Sequence, residues 1–361
     1  MIDATRSAQQ IAGEVLDNAV VRIVEMSSVV ARVRVELPLS DLTGLTEAEP
    51  GSVAGLTEAG TGSPAPAADA PASDLGRWQL RGTIDGPHCQ YASTLTAAVS
   101  LRPPVARSSS SDADDSLTCE AAIADPCFWT PQLPHRYRLK LELARGEEIL
   151  ARAERSIGLR PLSVRGRGFW FDGAGWVLRA AARTAIADAP LAAWRESSLA
   201  MVVDTPDDRL CEEAGRVGVL LVADISGSAG HLAAALRRLS RHAAVGLAIV
   251  TCDEPLDAAV RRAAGGILFV QRVGKALGAT AGLPSSARPD PVPVVPHALL
   301  VDAGDPDQVA HVATASSLPV IIERAASVAS PADARRACDR LQADLAGHGN
   351  IAGYLLRAVP S

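Results

Sequence analysis

Near residue 161 the periodicity of this chain changes, and that change decides its architecture. Before it, apolar and polar residues alternate: Ala31, Val33, Val35 and Leu37 stand against Arg32, Arg34 and Glu36, and Tyr137, Leu139, Leu141 and Leu143 against Arg136, Arg138, Lys140 and Glu142. Period two sends successive side chains to opposite faces of a strand, so each stretch offers one face to a core and one to water. Leu95, Ala97, Val99 and Leu101 follow the same rule. After residue 161, short unbroken apolar runs take over, at 169–171 leading to 176–178, then at 199–203, 219–225, 246–250, 267–271, 297–302, 318–322 and 351–356. Amphipathic helical patterns separate many of them, at 207–215, 231–242, 256–264 and 330–349, the last opened by Ser330-Pro331 and closed by glycines. Strands apolar on both faces, alternating with helices, imply a parallel sheet covered by helices.

The expected fold class is multidomain, β followed by α/β. Residues 1–160 form an all-β domain, and 161–361 supply eight units that fit a small (β/α)8 TIM barrel, with an open doubly wound sheet as the local alternative. Two low-complexity stretches, 41–74 and 106–116, interrupt the β half, and their Gly, Pro, Ser and Ala content suits loops. No strand end carries GxGxxG or GxxxxGK[ST], so a nucleotide has no phosphate cradle; Gly227, Gly230, Gly265 and Gly266 read as turns and caps.

Composition narrows the partners. Aromatic residues are only 3% of the 361, which leaves little surface for stacking bases, and 41 acids against 35 bases give a net charge of −6 with no basic tract for a phosphate backbone. Nucleic acid is excluded as an expected partner. The longest apolar runs fall well short of the ~20 residues that cross a bilayer, and the first residues lack a basic start followed by an apolar stretch. A cytoplasmic protein with no membrane partner is expected. Cys89, Cys119, Cys127, Cys211, Cys252 and Cys338 show no CxxC or Cys/His spacing, so reduced thiols are expected, with neither a metal site nor a disulfide framework nor a cofactor. Oligomeric state is open.

One stretch carries a family resemblance. DPCFWTPQLPHRYRLKLEL (125–143) sets Trp129, Pro131, Pro134 and Tyr137 in a P-x-x-W-x-P-x-x-P-x-x-Y-x-L pattern just before a strand. A β-sandwich ending in this pattern and running into a barrel resembles the family 2 glycoside hydrolases, the group of β-galactosidases, β-mannosidases and β-glucuronidases. Gly158 and Arg160, then Asp172 and Gly173, look like the family's junction into the barrel, and 210–224 is similar to its second helix and third strand. The resemblance covers roughly residues 80–360. It implies that the β half is an immunoglobulin-like sandwich, and that the family's N-terminal sugar-binding jelly roll is absent.

The resemblance also implies a site. Retaining glycosidases need two carboxyl groups ~5 Å apart, one protonated to assist the leaving oxygen and one ionised to attack the anomeric carbon. The family takes the first from an Asn-Glu pair after barrel strand four and the second from a Glu after strand seven. Asp253-Glu254 and Glu323 stand there, which makes Glu254 the expected acid/base and Glu323 the expected nucleophile. Departures are several. Asp253 replaces an Asn and, when ionised, only accepts hydrogen bonds. After strand two, Asp204 and Thr205 occupy the place of an Arg and a His, so the nucleophile is expected to lack its charge partner. Asp204, Asp224 and Asp253 are candidate substrate-binding residues, with helix capping or loop solvation as the plain alternative for Asp204, Asp224 and Asp302. Two functions follow: a divergent hydrolase of β-glycosidic bonds, or a non-catalytic pseudoenzyme that binds a carbohydrate or a partner protein. A barrel unrelated to glycosidases is the third reading.

Overall fold

The structure is a computed structural model and describes residues 8–42, 78–104, 116–186, 188–251, 258–273, 295–348 and 350–359. The low-complexity segments expected to be loops, 41–74 and 106–116, lie almost wholly outside these residues.

The β half opens with a helix, α1 (Ala8–Asp17), followed by seven strands: β1 (Val20–Met26), β2 (Val30–Pro38), β3 (Trp78–His88), β4 (Ala97–Leu101), β5 (Ser116–Ala124), β6 (Arg136–Arg145) and β7 (Glu148–Ile157). They form two antiparallel sheets, β1-β2-β5 and β4-β3-β6-β7, an immunoglobulin-like sandwich. Alternation decides which faces meet. Ala31, Val33, Val35 and Leu37 of β2 are fully buried against Tyr137, Leu139, Leu141 and Leu143 of β6, while the opposite residues of β2 and its neighbours build an ion-pair ladder, with Arg34 to Glu120 at 2.6 Å and Arg22 to Glu36 at 3.0 Å. The fourth strand departs from expectation. Leu95 precedes β4 and is 96% exposed, and of its proposed inward set only Leu101 is buried, because β4 is a short edge strand paired with β3 alone. Helix α1, unforeseen in the sequence, tucks Ala12, Val15 and Leu16 into the sandwich core. Arg155 of β7 donates to the carbonyls of Leu16 and Ala19, placing a cation at the helix's C-terminal end.

A three-stranded antiparallel sheet follows, β8 (Leu162–Arg165), β9 (Gly168–Phe171) and β10 (Ala174–Trp176). The apolar run expected to be the first barrel strand is thus two strands of a hairpin. Asp172 and Gly173, both at positive φ, turn the chain back between them.

The barrel starts at Leu178. Its strands are β11 (Leu178–Ala182), β12 (Ala200–Asp204), β13 (Leu221–Ser226), β14 (Val245–Thr251), β15 (Leu268–Arg272), β16 (Ala298–Asp302), β17 (Val320–Ala325) and β18 (Ile351–Arg357), all parallel, with β18 pairing back to β11 to close the ring. Helices α2 (Leu191–Glu196), α3 (Asp208–Val217), α4 (Ala229–Leu239), α5 (Ala258–Ala263), α6 (Pro306–Ala315) and α7 (Pro331–Asp344) lie between strands. Sequence sets their starts: Asp207, Asp305 and Ser330 accept from the backbone N–H three residues on, and Pro306 and Pro331 open the last two. Closure excludes the open-sheet alternative. Among the described residues no helix is long and apolar enough to cross a membrane.

The proline-framed tryptophan is where the two halves lock. Trp129 is fully buried within the barrel's core, its Nε1 donates to the carbonyl of Gly215 in α3 at 2.9 Å, and its backbone N–H donates to Leu159. Gly158 must be glycine: a Cβ there would lie 2.5 Å from the Cβ of Ala243 and 3.0 Å from that of Trp129. Arg160 reaches underneath the barrel to the carbonyls of Ala243 (2.7 Å) and Gly266 (3.1 Å), which precede β14 and β15. These contacts fix the N-terminal end of the barrel against the sandwich.

Candidate active site

At the C-terminal end of the barrel the inward side chains turn from apolar to charged. Asp224 of β13, Arg272 of β15 and Glu323 of β17 come from the third, fifth and seventh strands, the alternate-strand pattern of a single inward layer. The Arg272 guanidinium joins the other two: Nη2 lies 3.2 Å from Asp224 Oδ2, and Nη1 donates to Glu323 Oε2. Arg357, at the end of β18, covers the second oxygen, with its Nε 3.0 Å from Glu323 Oε1, and its Nη2 stands 3.9 Å from Asp302. Glu323 is only 2% exposed. It is one of two buried polar or charged residues among those described, with His135 of the sandwich.

Electrostatics here are a contest between desolvation and pairing. Burial pushes the Glu323 carboxyl above the ordinary carboxylate range, against the pull of Arg272 and Arg357, and nearby Asp224 pushes the same way as burial. Asp224 is also raised, again mainly by burial, with Arg272 opposing and Asp204 adding to the rise. Asp204 faces Asp224 in the β12–β13 register and is exposed. A carboxylate with a guanidinium on each oxygen is strongly oriented, and each oxygen keeps a second lone-pair site.

The structure therefore gathers Asp224 and Glu323, sets Asp204 and Asp302 on the rim, and corrects one expectation outright. Glu323 does not lack a charge partner; it has two, from strands five and eight instead of strand two. The sequence reading passed over Arg272 and Arg357, although each is the first charge after an apolar run, the same signal that drew attention to Glu323. Asp253 and Glu254, expected after strand four, lie outside the described residues. Asp302 partly fulfils the plain alternative, its Oδ1 accepting from Gly304 N at 2.9 Å in a loop turn.

Among the described residues, four strand-to-helix connections on this side are short, at 205–207, 227–228, 303–305 and 326–330. The barrel half's aromatic residues are elsewhere. Trp194, Phe269 and Tyr354 are core, and Trp170 and Trp176 belong to the small sheet ahead of the first barrel strand, Trp170 with Arg165 stacked 4.8 Å from its ring centre. Among the described residues no cluster of three or more His, Cys, Asp or Glu could hold a metal ion.

Comparison with known proteins agrees with the architecture. Residues 78–160 match the family model of the glycosyl hydrolases family 2. Among solved structures, the chain is similar to a glycosyl hydrolase family 2 member from Bacteroides cellulosilyticus (TM-score 0.57, 10% identity, covering 95% of this chain and 43% of that one). It is also similar to a β-glucuronidase from Bacteroides uniformis (TM-score 0.53, 13% identity, covering 94% of this chain and 45% of that one) and to a β-D-glucuronidase from Dictyoglomus thermophilum (TM-score 0.51, 11% identity, 94% and 61%). No curated protein sequence matches the chain. The chain resembles the family 2 glycoside hydrolases in fold, an immunoglobulin-like sandwich followed by a TIM barrel, and it spans less than two thirds of the length of these structures.

Proposed function

We propose that this chain is a pseudoenzyme of the glycoside hydrolase type, a sandwich-and-barrel protein that keeps the nucleophile position at Glu323 and uses it for structure. The observation that supports this best is the state of that side chain: 2% exposed, with an arginine on each carboxylate oxygen. A nucleophile must reach an anomeric carbon about 3 Å away, and a carboxyl this deeply buried, with Arg272 standing between it and Asp224, is not presented to one. The four short connections and the lack of an aromatic floor among the described residues support the same reading, since sugar sites in barrels are built from strand-to-helix loops. Binding of a carbohydrate or a partner protein is the function that remains, and the free thiols of the five described cysteines suit a reducing, cytoplasmic setting.

The second reading is an active retaining hydrolase of β-glycosidic bonds, with Glu323 as nucleophile, Glu254 as acid/base, and Asp204, Asp224 and Asp253 holding the substrate. It is favoured by the position of Glu323 at the end of the seventh strand, inside the mouth. Chromogenic β-galactosides, β-mannosides and β-glucuronides separate the two. The pseudoenzyme reading expects folded protein to turn over none of them; turnover that disappears in Glu323→Gln overturns it.

A further inference from the structure

In a ring of eight strands, the third and the seventh face each other across the axis, so Asp224 and Glu323 approach from opposite walls. Arg272, from the fifth strand, spans the gap and offers one terminal nitrogen to each. The place between the two carboxylates, where any ligand touching both would have to sit, already holds a guanidinium. That cation also lies between their like charges and offsets the repulsion. Asp204 and Asp302 add two more negative charges at the rim, and Arg357 is the other cation of the cluster. Removing Arg272 would leave a carboxylate pair facing inward with its complement missing.

We propose that Arg272 is a self-supplied ligand of the barrel mouth: its guanidinium occludes the site between Asp224 and Glu323, and that site is shaped for a guanidinium group. The proposal rests on the reading of the mouth as non-catalytic and gives the physical cause, an internal occupant where a sugar would have to lie. A neutral sugar hydroxyl offers neither the charge nor the two-pronged donor geometry that would displace it.

The test is chemical rescue in the full chain. Arg272→Ala should lower the Tm, and methylguanidinium at low millimolar concentration should raise the variant's Tm by about 2–4 °C while leaving the unaltered protein unmoved. Methylammonium, which lacks the fork, should do less. Adding Asp224→Asn to Arg272→Ala should abolish the response. If Arg272→Ala is insoluble, Arg272→Gln, which keeps the stem, carries the same expectation. A folded variant that ignores methylguanidinium, or one whose response survives Asp224→Asn, overturns the proposal. Hydrolysis by the unaltered protein would instead sink the non-catalytic reading, so the two failures are separate.

Discussion

The two ends of the barrel use arginine in opposite ways. At the N-terminal end Arg160 spends its donors on main-chain carbonyls, those of Ala243 and Gly266, and Trp129 does the same with the carbonyl of Gly215. At the C-terminal end Arg272 and Arg357 meet carboxylates. Carbonyls carry no net charge and do not titrate, so the first end is a fixed seam; burial pushes the Arg160 guanidinium down to about 10, still charged at neutral pH. Carboxylates titrate, so the second end answers to pH. The difference teaches that an arginine bound to backbone makes a seam indifferent to pH, while one bound to acids makes a cluster that responds to it.

The sharpest way to break this contrast is Trp129→Ala. It removes a fully buried ring and its hydrogen bond at the seam, and a loss of about 3–5 kcal/mol is expected, read by denaturant unfolding. Loss of cooperativity, with sandwich and barrel unfolding separately, is expected to accompany it. Arg160→Met comes next. It keeps an apolar stem but leaves two carbonyls without their charged donor, at a cost of about 2–3 kcal/mol that should not depend on pH between 5 and 8, roughly the range where only histidine ordinarily titrates. Glu323→Gln gives the smallest and most specific effect. Because the folded state raises the Glu323 carboxyl, it holds that proton more tightly than the unfolded chain does. Stability contributed by this group is therefore present at low pH and declines as pH rises from the ordinary carboxylate range through the raised value. Unfolding measured across that range should show the decline flattened in Glu323→Gln and unchanged in Arg160→Met.

Much of the architecture was written in periodicity. Tyr137 to Leu143 and Ala31 to Leu37 declared their faces because both strands sit within sheets whose one side is dry. Seven of the eight barrel strands fall where unbroken apolar runs stand. The eighth was misplaced because Phe169 to Leu178 reads as one run unless Asp172-Gly173 is taken as a hairpin turn. Leu95 misled because alternation has no meaning beyond the end of an edge strand. The site was half legible. Glu323 announced itself as an acid directly after an apolar strand, and Arg272 and Arg357 carry the same signal, but only ring closure shows that strands three, five and seven bring their ends to a common layer. Sequence distance hides that neighbourhood, since Asp224 and Arg272 are as local in space as they are remote in the chain.

The brevity of the connections at 205–207, 227–228, 303–305 and 326–330 has an evolutionary side. Loops this tight contribute little to the hydrophobic interior, so lengthening any of them would add surface above the rim without disturbing what lies beneath. At these four places new recognition could be raised by insertion alone.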